Sequence, residues 1–237
     1  MRRQPSEIKA MFNEIAPTYD ALNHLLSFGL DIRWRKQALK FVEGKRGGAF
    51  LDIAAGSGDF SLEALRLNPQ HIVATDFAYQ MLDVFQHKLG KYENSTAIRL
   101  ASCDVLYLPF RDFSFDVTMV AFGIRNFSDR PIALKEMFRV LKPSGISLIL
   151  ELTAPTAPLV SQLYAIYARG VLPLIGKIIS RHNSAYRYLP ESIAQFPERE
   201  EFISLMVSAG FVDVKAKSLT FGAATIYVGR KSEAIVE

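Results

Sequence analysis

Short apolar runs alternate with segments of helical period from Val42 to Glu151, and that alternation confines the chain to one class of fold. Ala49–Ala54 is an apolar run that ends in the turn Gly56-Ser57-Gly58. A helical segment from Ser61 to Leu67 stops at Asn68-Pro69, and Ile72–Asp76 is a second strand. The next helix runs through Met81, Leu82, Phe85 and Leu89 to Gly90. Ala97–Leu100, Phe115–Ala121 and Ile146–Leu152 are the third to fifth strands. A helix over Pro131–Leu141 precedes the fifth, with Lys142-Pro143-Ser144-Gly145 as the connecting turn. After a helix from Pro197 to Ala209, Val212–Ser218 and Ala224–Val228 form a closing pair of strands with Gly222 in the turn. Strands that alternate with helices need right-handed crossovers, hence a mainly parallel sheet covered on both faces. Near-continuous apolar strands agree, because both faces of such a sheet are buried. The expectation is a doubly wound α/β domain with N-terminal helices and a helical insertion before the last two strands.

At 237 residues the chain suits one large domain or two small ones. We read one domain over 1–237. It comprises a helical lead (1–45), a cofactor-binding core (46–153), a helical substrate or lid region (154–196), and a closing helix and strands (197–231). The 49% of hydrophobic residues and 22% of charged ones exclude a disordered tail or a fibre. A single cysteine, Cys103, excludes a disulfide framework and a multi-cysteine metal site. The net charge of +4 is spread along the chain, whereas a nucleic-acid binder would gather its excess on one face. Met1–Glu7 is basic, yet no apolar core of signal-peptide length follows. The stretch Leu159–Ile179 is interrupted by Arg169, Pro173 and Lys177, whereas a membrane span needs ~20 mostly apolar residues. The expected location is cytoplasmic, with peripheral contact at the inner face of the membrane left open.

Ligands of an open parallel sheet bind at the carboxyl ends of its strands. There the chain places Asp52 before the glycine turn, Asp76 after the second strand and Asp104 after the third. The turn is not a dinucleotide fingerprint, because Ala54 and Ser61 replace its outer glycines, and it lacks the lysine of a P-loop. Three acids around one crevice repel a phosphate and favour a cationic ligand with ribose hydroxyls. A lone Gly-x-Gly is more often a simple tight turn, and an acid at a strand end is often only a helix N-cap. Together and in order, these features favour an adenosine-ligand site.

Asp52 to Gly58, then Asp76, then Asp104-Val105, resembles the S-adenosylmethionine site of class I methyltransferases, whose Rossmann-like sheet has seven strands and an inserted antiparallel strand. The resemblance implies that Asp76 holds the ribose hydroxyls and that Asp104 and Val105 meet the adenine. It places Gly56, Ser57 and Gly58 beside the methionine part, with Asp52 and Ala121 in the same site. More specific segments are Phe12–Asp20, Leu26–Leu30 with Trp34-Arg35, Phe122-Gly123-Ile124-Arg125-Asn126, Arg139–Gly145 and Ser184–Ile193. From about Phe12 to Arg230 the chain resembles the ubiquinone/menaquinone biosynthesis C-methyltransferases, the UbiE/MenG family. It departs from that pattern at Leu22, Asp31, Ala55, Ser57, Ala121 and Ser144; Asp31 stands where the family often has histidine.

The resemblance implies C-methylation of a polyprenylated quinol, either demethylmenaquinol or 2-polyprenyl-6-methoxy-1,4-benzoquinol, with no metal. Rival readings are methylation of another small or lipid-like acceptor, and a non-catalytic protein that binds S-adenosylmethionine. A nucleic-acid methyltransferase is disfavoured, because an Asn/Asp-Pro-Pro-Tyr or Pro-Cys motif is absent. Arg125 and Asn126 are the candidate catalytic residues. Arg125 either donates to a quinol oxygen or pairs with Asp129 or Glu151 to hold its loop. Tyr186, Arg187 and Tyr188 line a ring pocket or brace a lid. Tyr19 and Trp34 close the N-terminal helices over the cofactor or simply pack. The histidines have no metal-ligand spacing, and His24 is either a base or a solvated helix residue. Leu159–Ile179 is either an ordinary helical pair or a lid that meets the tail or an anionic membrane surface. Tail length and oligomeric state are not encoded legibly.

Overall fold

The computed structural model describes residues 4–92, 95–155 and 183–233. The Leu159–Ile179 stretch lies outside them. Three helices lead the chain: α1 (Pro5–Ile15), α2 (Tyr19–Leu26) and α3 (Leu30–Leu39). The first starts at a capping box in which Gln4 and Glu7 satisfy each other's backbone amides.

Seven strands form one sheet: β1 (Ala49–Ile53), β2 (His71–Asp76), β3 (Ile98–Ser102), β4 (Phe115–Ala121), β5 (Leu141–Leu152), β6 (Val212–Leu219) and β7 (Ala224–Arg230). Their order is β3-β2-β1-β4-β5-β7-β6. The first five run parallel, and β7 is antiparallel to both β5 and β6. This is the doubly wound sheet expected from the sequence. The order reverses between β1 and β4, so a crevice opens at their carboxyl ends.

Period-two alternation assigns each strand residue to one of two cores. From β1, Phe50 joins Trp34, Leu39 and Phe85 on one face. Ala49, Leu51 and Ile53 join Met137, Phe202 and Tyr227 on the other. The first face is covered by α3, α4 (Asp59–Ala64) and α5 (Tyr79–Leu89), and the second by α6 (Arg130–Val140) and α8 (Arg199–Ser208). One further described helix, α7 (Asn183–Ala194), carries Pro190 in its interior.

Two boundaries differ from the sequence expectation. The helix after the glycine turn starts at Asp59, and only a 3₁₀ turn over Leu65–Leu67 follows it before Asn68, at φ 47°. The expected turn Lys142–Gly145 lies inside β5, whose ladder with β4 jumps from Leu141–Phe115 to Ile146–Val117. Ser144, at φ 59°, marks the kink, and its N–H bonds to Lys231 O at 3.1 Å. The turn residues were legible, but the pairing that pulls them into the strand comes from β7 and the segment after it.

Gly58 fixes the entry to α4. Its φ is 89°, and a Cβ there would lie 2.1–2.3 Å from the Phe85 ring. Gly58→Ala therefore combines left-handed strain with a core clash, and should cost ~2–4 kcal/mol. We expect Tm to fall by about 5–12 °C. An unchanged thermal melt would show that the Phe85 contact is not tight.

Candidate active site

The crevice is built from the loops that follow β1, β2, β3 and β4. Ala54 (φ 53°) and Gly56 (φ 57°) turn the chain sharply after β1. The Gly56 N–H donates to Asp76 Oδ2 at 2.8 Å, and the Ala78 N–H donates to Asp76 Oδ1 at 2.7 Å. One carboxyl thus ties the glycine turn to the end of β2 and starts the α5 segment. Burial raises the Asp76 carboxyl above its usual value, against the backbone amides that favour its charge. Asp104 caps the short turn after β3, with Leu106 N–H on its Oδ1 at 2.9 Å. A cleft of about 870 Å³ brings together Gly56, Asp76, Asp104, Val105, Ala121 and Asn126, six of the ten residues singled out from the sequence.

The other four lie behind or beside that cleft. Gly58 packs on Phe85. Ser57 is buried, and its hydroxyl donates to Asp20 Oδ1. Asp52 is fully buried beneath the turn, where Ser61 Oγ donates to its Oδ2 at 2.6 Å and its Oδ1 has no hydrogen-bond partner. Desolvation pushes its carboxyl up to about 7, although Ser61 and Arg35 oppose the shift. Asp52 borders a small void together with Gly56, Ser57 and Asp59.

Arg125 is buried and paired with the fully buried Glu151 rather than with Asp129. Its guanidinium meets Glu151 Oε1 at 2.8 Å and its backbone N–H meets Oε2 at 3.0 Å. The same side chain donates to Phe122 O. Asp129 is occupied as the N-cap of α6, accepting from Ile132 N–H at 2.9 Å. Burial works against the Arg125 charge, but Glu151 overcomes it and holds the guanidinium above its ordinary pKa. Its Nε is buried with no hydrogen-bond partner. Asn126 accepts the Tyr188 hydroxyl at 2.8 Å, so α7 braces the Arg125 loop. The side chains of Tyr186 and Arg187 lie outside the described residues.

A second cavity of about 990 Å³ lies beside the cleft. Its lining is mainly apolar, including Leu26, Phe28, Trp34, Leu152, Leu189 and Ile193, and Arg125 stands in its wall. Tyr19 and Phe122 border both spaces. Burial raises the Tyr19 phenol, with Arg125 acting in the opposite direction.

Long-range ion pairs hold the N-terminal helices against the turn. Lys88 Nζ joins Asp20 at 2.8 Å and Asp59 at 2.6 Å. Asp31 accepts from Ser27 Oγ at 2.5 Å and Arg35 at 2.6 Å, and lies 2.8 Å from His24 Nδ1. Burial acts to raise the Asp31 carboxyl, but Ser27 and Arg35 prevail and hold it below the usual range. His24, Asp31 and Asp59 approach within 4.8 Å of one another, and Arg35 and Lys88 are the cations set against these acids. Trp34 donates to Thr220 Oγ1 at 2.9 Å, so it both packs and ties α3 to the turn before β7. Sequence reasoning did not find Asp20, Lys88 or the role of Phe122. The one available signal was that Phe122 directly follows a parallel strand, where ligands gather.

Asp52 makes a signed pH prediction. Its folded pKa near 7 lies well above the ordinary carboxylate value, so ionisation at higher pH costs stability. Below the lower value both states hold the proton and the penalty vanishes. Asp52→Asn keeps an acceptor for Ser61, and should stabilise the protein at pH 8 by on the order of 2–4 kcal/mol. Denaturant titrations should show that gain shrinking as pH falls from 7 toward 4. A gain independent of pH would contradict the raised pKa.

The chain is 45% identical to the ubiquinone/menaquinone biosynthesis C-methyltransferase UbiE of Geobacter sulfurreducens, over 94% of this chain and 88% of that protein. It is 41% identical to the demethylmenaquinone methyltransferase of Bacteroides fragilis, over 97% and 94%. A putative S-adenosyl-L-methionine-dependent methyltransferase of Methanococcus maripaludis shares the fold, with a TM-score of 0.70 and 17% identity over 95% of both chains. The sequence pattern of one family covers residues 1–231, almost the whole described fold, and the chain belongs to that family, the ubiE/COQ5 methyltransferases.

Proposed function

We propose that the protein transfers a methyl group from S-adenosylmethionine to a ring carbon of a reduced polyprenylated quinol, demethylmenaquinol or 2-polyprenyl-6-methoxy-1,4-benzoquinol. The observation that carries the reading is the meeting of two spaces. An acid-rimmed cleft adjoins a largely apolar cavity, and a buried arginine with an unpartnered donor stands in the cavity wall. Residues 46–153 then hold the cofactor, and Leu189 and Ile193 of α7 contribute to the acceptor side.

The donor set fits S-adenosylmethionine. Asp76 and Asp104 present carboxyls to the cleft, which suits ribose hydroxyls and an adenine amine and repels phosphate. Gly56 lines the cleft, and a Cβ there would meet only Tyr19, at 3.8 Å, so the backbone is open to a close approach. Ser57, Gly58 and Asp52 support that turn from behind. When bound, the cofactor supplies an electrophilic methyl on a sulfonium.

The chain's own residues do the rest. The quinol loses a hydroxyl proton, and the ring carbon beside it becomes the nucleophile. The cofactor, held beside Gly56, Asp76 and Asp104, would supply the methyl to that carbon and keep the S–CH₃ electron pair on sulfur. The ring C–H proton then leaves, the ring regains aromaticity and the phenolate oxygen takes a proton back, so that one proton is released per turnover. Arg125, which stands in the cavity wall, donates from its guanidinium to the developing phenolate oxygen. Because Glu151 neutralises its charge, Arg125 acts as a fixed hydrogen-bond donor rather than as a net cation. Asn126 and Tyr188 hold the loop that aims it. Alignment of carbon and methyl supplies much of the acceleration.

Among the described residues no helix is long and apolar enough to cross a membrane. An acceptor with a polyprenyl tail partitions into lipid, and peripheral contact with a lipid surface is part of this proposal.

Label transfer from methyl-labelled S-adenosylmethionine to each reduced quinol tests the function, with the oxidised quinones as controls. Carbon methylation of only the reduced ring is expected; no transfer with bound cofactor would remove the acceptor assignment. Arg125→Lys keeps a charge for Glu151 but loses the fork. It should lower kcat on the order of 10²-fold while the cofactor Kd stays nearly constant. Near-normal kcat would remove Arg125 from the chemistry.

A further inference from the structure

Phe122 is the feature that the mechanism above leaves unused. It follows β4 directly in a left-handed conformation, φ 58°, which a bulky aromatic residue rarely adopts. Strain of this kind persists only where the surroundings impose it, and it gathers at ligand sites. The surroundings here are specific. The Phe122 N–H bonds to Leu150 O at 2.7 Å, and its carbonyl accepts from Arg125. A Cβ on the next residue, Gly123, would lie 2.6 Å from Ala54 Cβ, so the backbone cannot relax toward the glycine turn.

The outcome is a fixed ring between two spaces. Trp34 meets it edge-on, with centroids 6.2 Å apart and planes at 61°. The Arg35 guanidinium lies 5.4 Å from its centroid. Arg35 is itself held by Asp31, so the neighbours of the ring are fixed too. Phe122 borders the acid-rimmed cleft and the apolar cavity alike. Residue 122 thus places an aromatic side chain between the two spaces, and its carbonyl holds the arginine proposed to meet the phenolate.

We propose that Phe122 is a catalytic residue that contacts the acceptor, the platform on which the quinol ring stacks for methyl transfer, and that it favours the larger bicyclic ring. The inference rests on the quinol reading above and deepens it. Offset stacking is favourable and grows with the overlapping π surface, so a naphthoquinol gains more than a benzoquinol. A stacked ring is also restrained to one plane, which presents its carbon to the methyl with little angular freedom.

The test compares wild type, Phe122→Leu and Phe122→Tyr on short-chain demethylnaphthoquinol and on short-chain 6-methoxy-benzoquinol, both chemically reduced. The cofactor Kd and Tm are measured for each protein. Phe122→Leu should lower kcat/KM for the naphthoquinol by about 3–10-fold and for the benzoquinol by distinctly less. The cofactor Kd should change little, and Phe122→Tyr should recover most of the loss. Equal losses on the two acceptors, a parallel loss of cofactor affinity, or unaltered kinetics in Phe122→Leu would overturn the platform. If Phe122→Leu fails to fold, Phe122→Tyr with near-wild-type discrimination supports the platform, and changed discrimination overturns it. Wild-type protein that methylates neither quinol would remove the underlying function; a wild type that turns over beside an unaffected Phe122→Leu removes only the platform.

Discussion

Phe50, Leu51 and Asp52 pair in parallel with Val117, Thr118 and Met119, and every loop of the site hangs from that seam. Because strand order reverses there, the connections after β1 and β4 leave toward opposite faces and open a crevice between them. The two chains then turn abruptly, at Ala54 and at Phe122, both with positive φ and neither a glycine. The close approach of Gly123 to Ala54 shows that these turns are mutually constrained. A residue larger than glycine at 123 would separate the loops that carry the cofactor side and the acceptor side. The seam thus fixes the relative position of two binding spaces before any ligand arrives.

The acids and the glycine turn were legible because their signals are local. A strand ending in an acid or a glycine pair declares itself within a few residues, and Asp76 and Asp104 fell where the strand ends required. The long-range ties were not legible. Ser57 reaches Asp20 across 37 positions, and Lys88 reaches it across 68. Arg125 had two candidate partners in the sequence. The choice of Glu151 follows from pairing of β4 with β5, which sets Ala121 beside Leu150 and brings the 125 loop over residue 151. Phe122 was hidden for a different reason. Positive φ is normally signalled by glycine or asparagine, and here the packing imposes it on phenylalanine. The apolar stretch Leu159–Ile179, within the helical region expected over 154–196, lies outside the described residues.

Two buried charges near the seam are treated differently by the fold. Arg125 receives a carboxylate partner and several hydrogen bonds, and removal of one member of such a pair costs ~3–5 kcal/mol because the other is stranded. Asp52 receives one hydroxyl at full burial and keeps an unpartnered oxygen, so its pKa rises instead. An apolar or amide residue at 52 would be more stable at neutral pH. Retaining the acid therefore sacrifices stability at the floor of the glycine turn, the pattern expected where a site has been favoured over the core that supports it.

The same logic connects strain with selectivity. Ala54 and Phe122 each hold strained backbone in the crevice, of order 1–3 kcal/mol. That strain is sustained by packing on all sides: Trp34 and Arg35 around the Phe122 ring, Leu150 on its amide, Arg125 on its carbonyl. Each of these neighbours is tied in turn, Trp34 to Thr220, Arg35 to Asp31 and Arg125 to Glu151. A ring fixed in this way loses little entropy when a ligand stacks on it, whereas a relaxed and mobile ring would have to be ordered at each binding event. Preorganisation of the wall between the two spaces is thus the physical return on an otherwise unfavourable conformation.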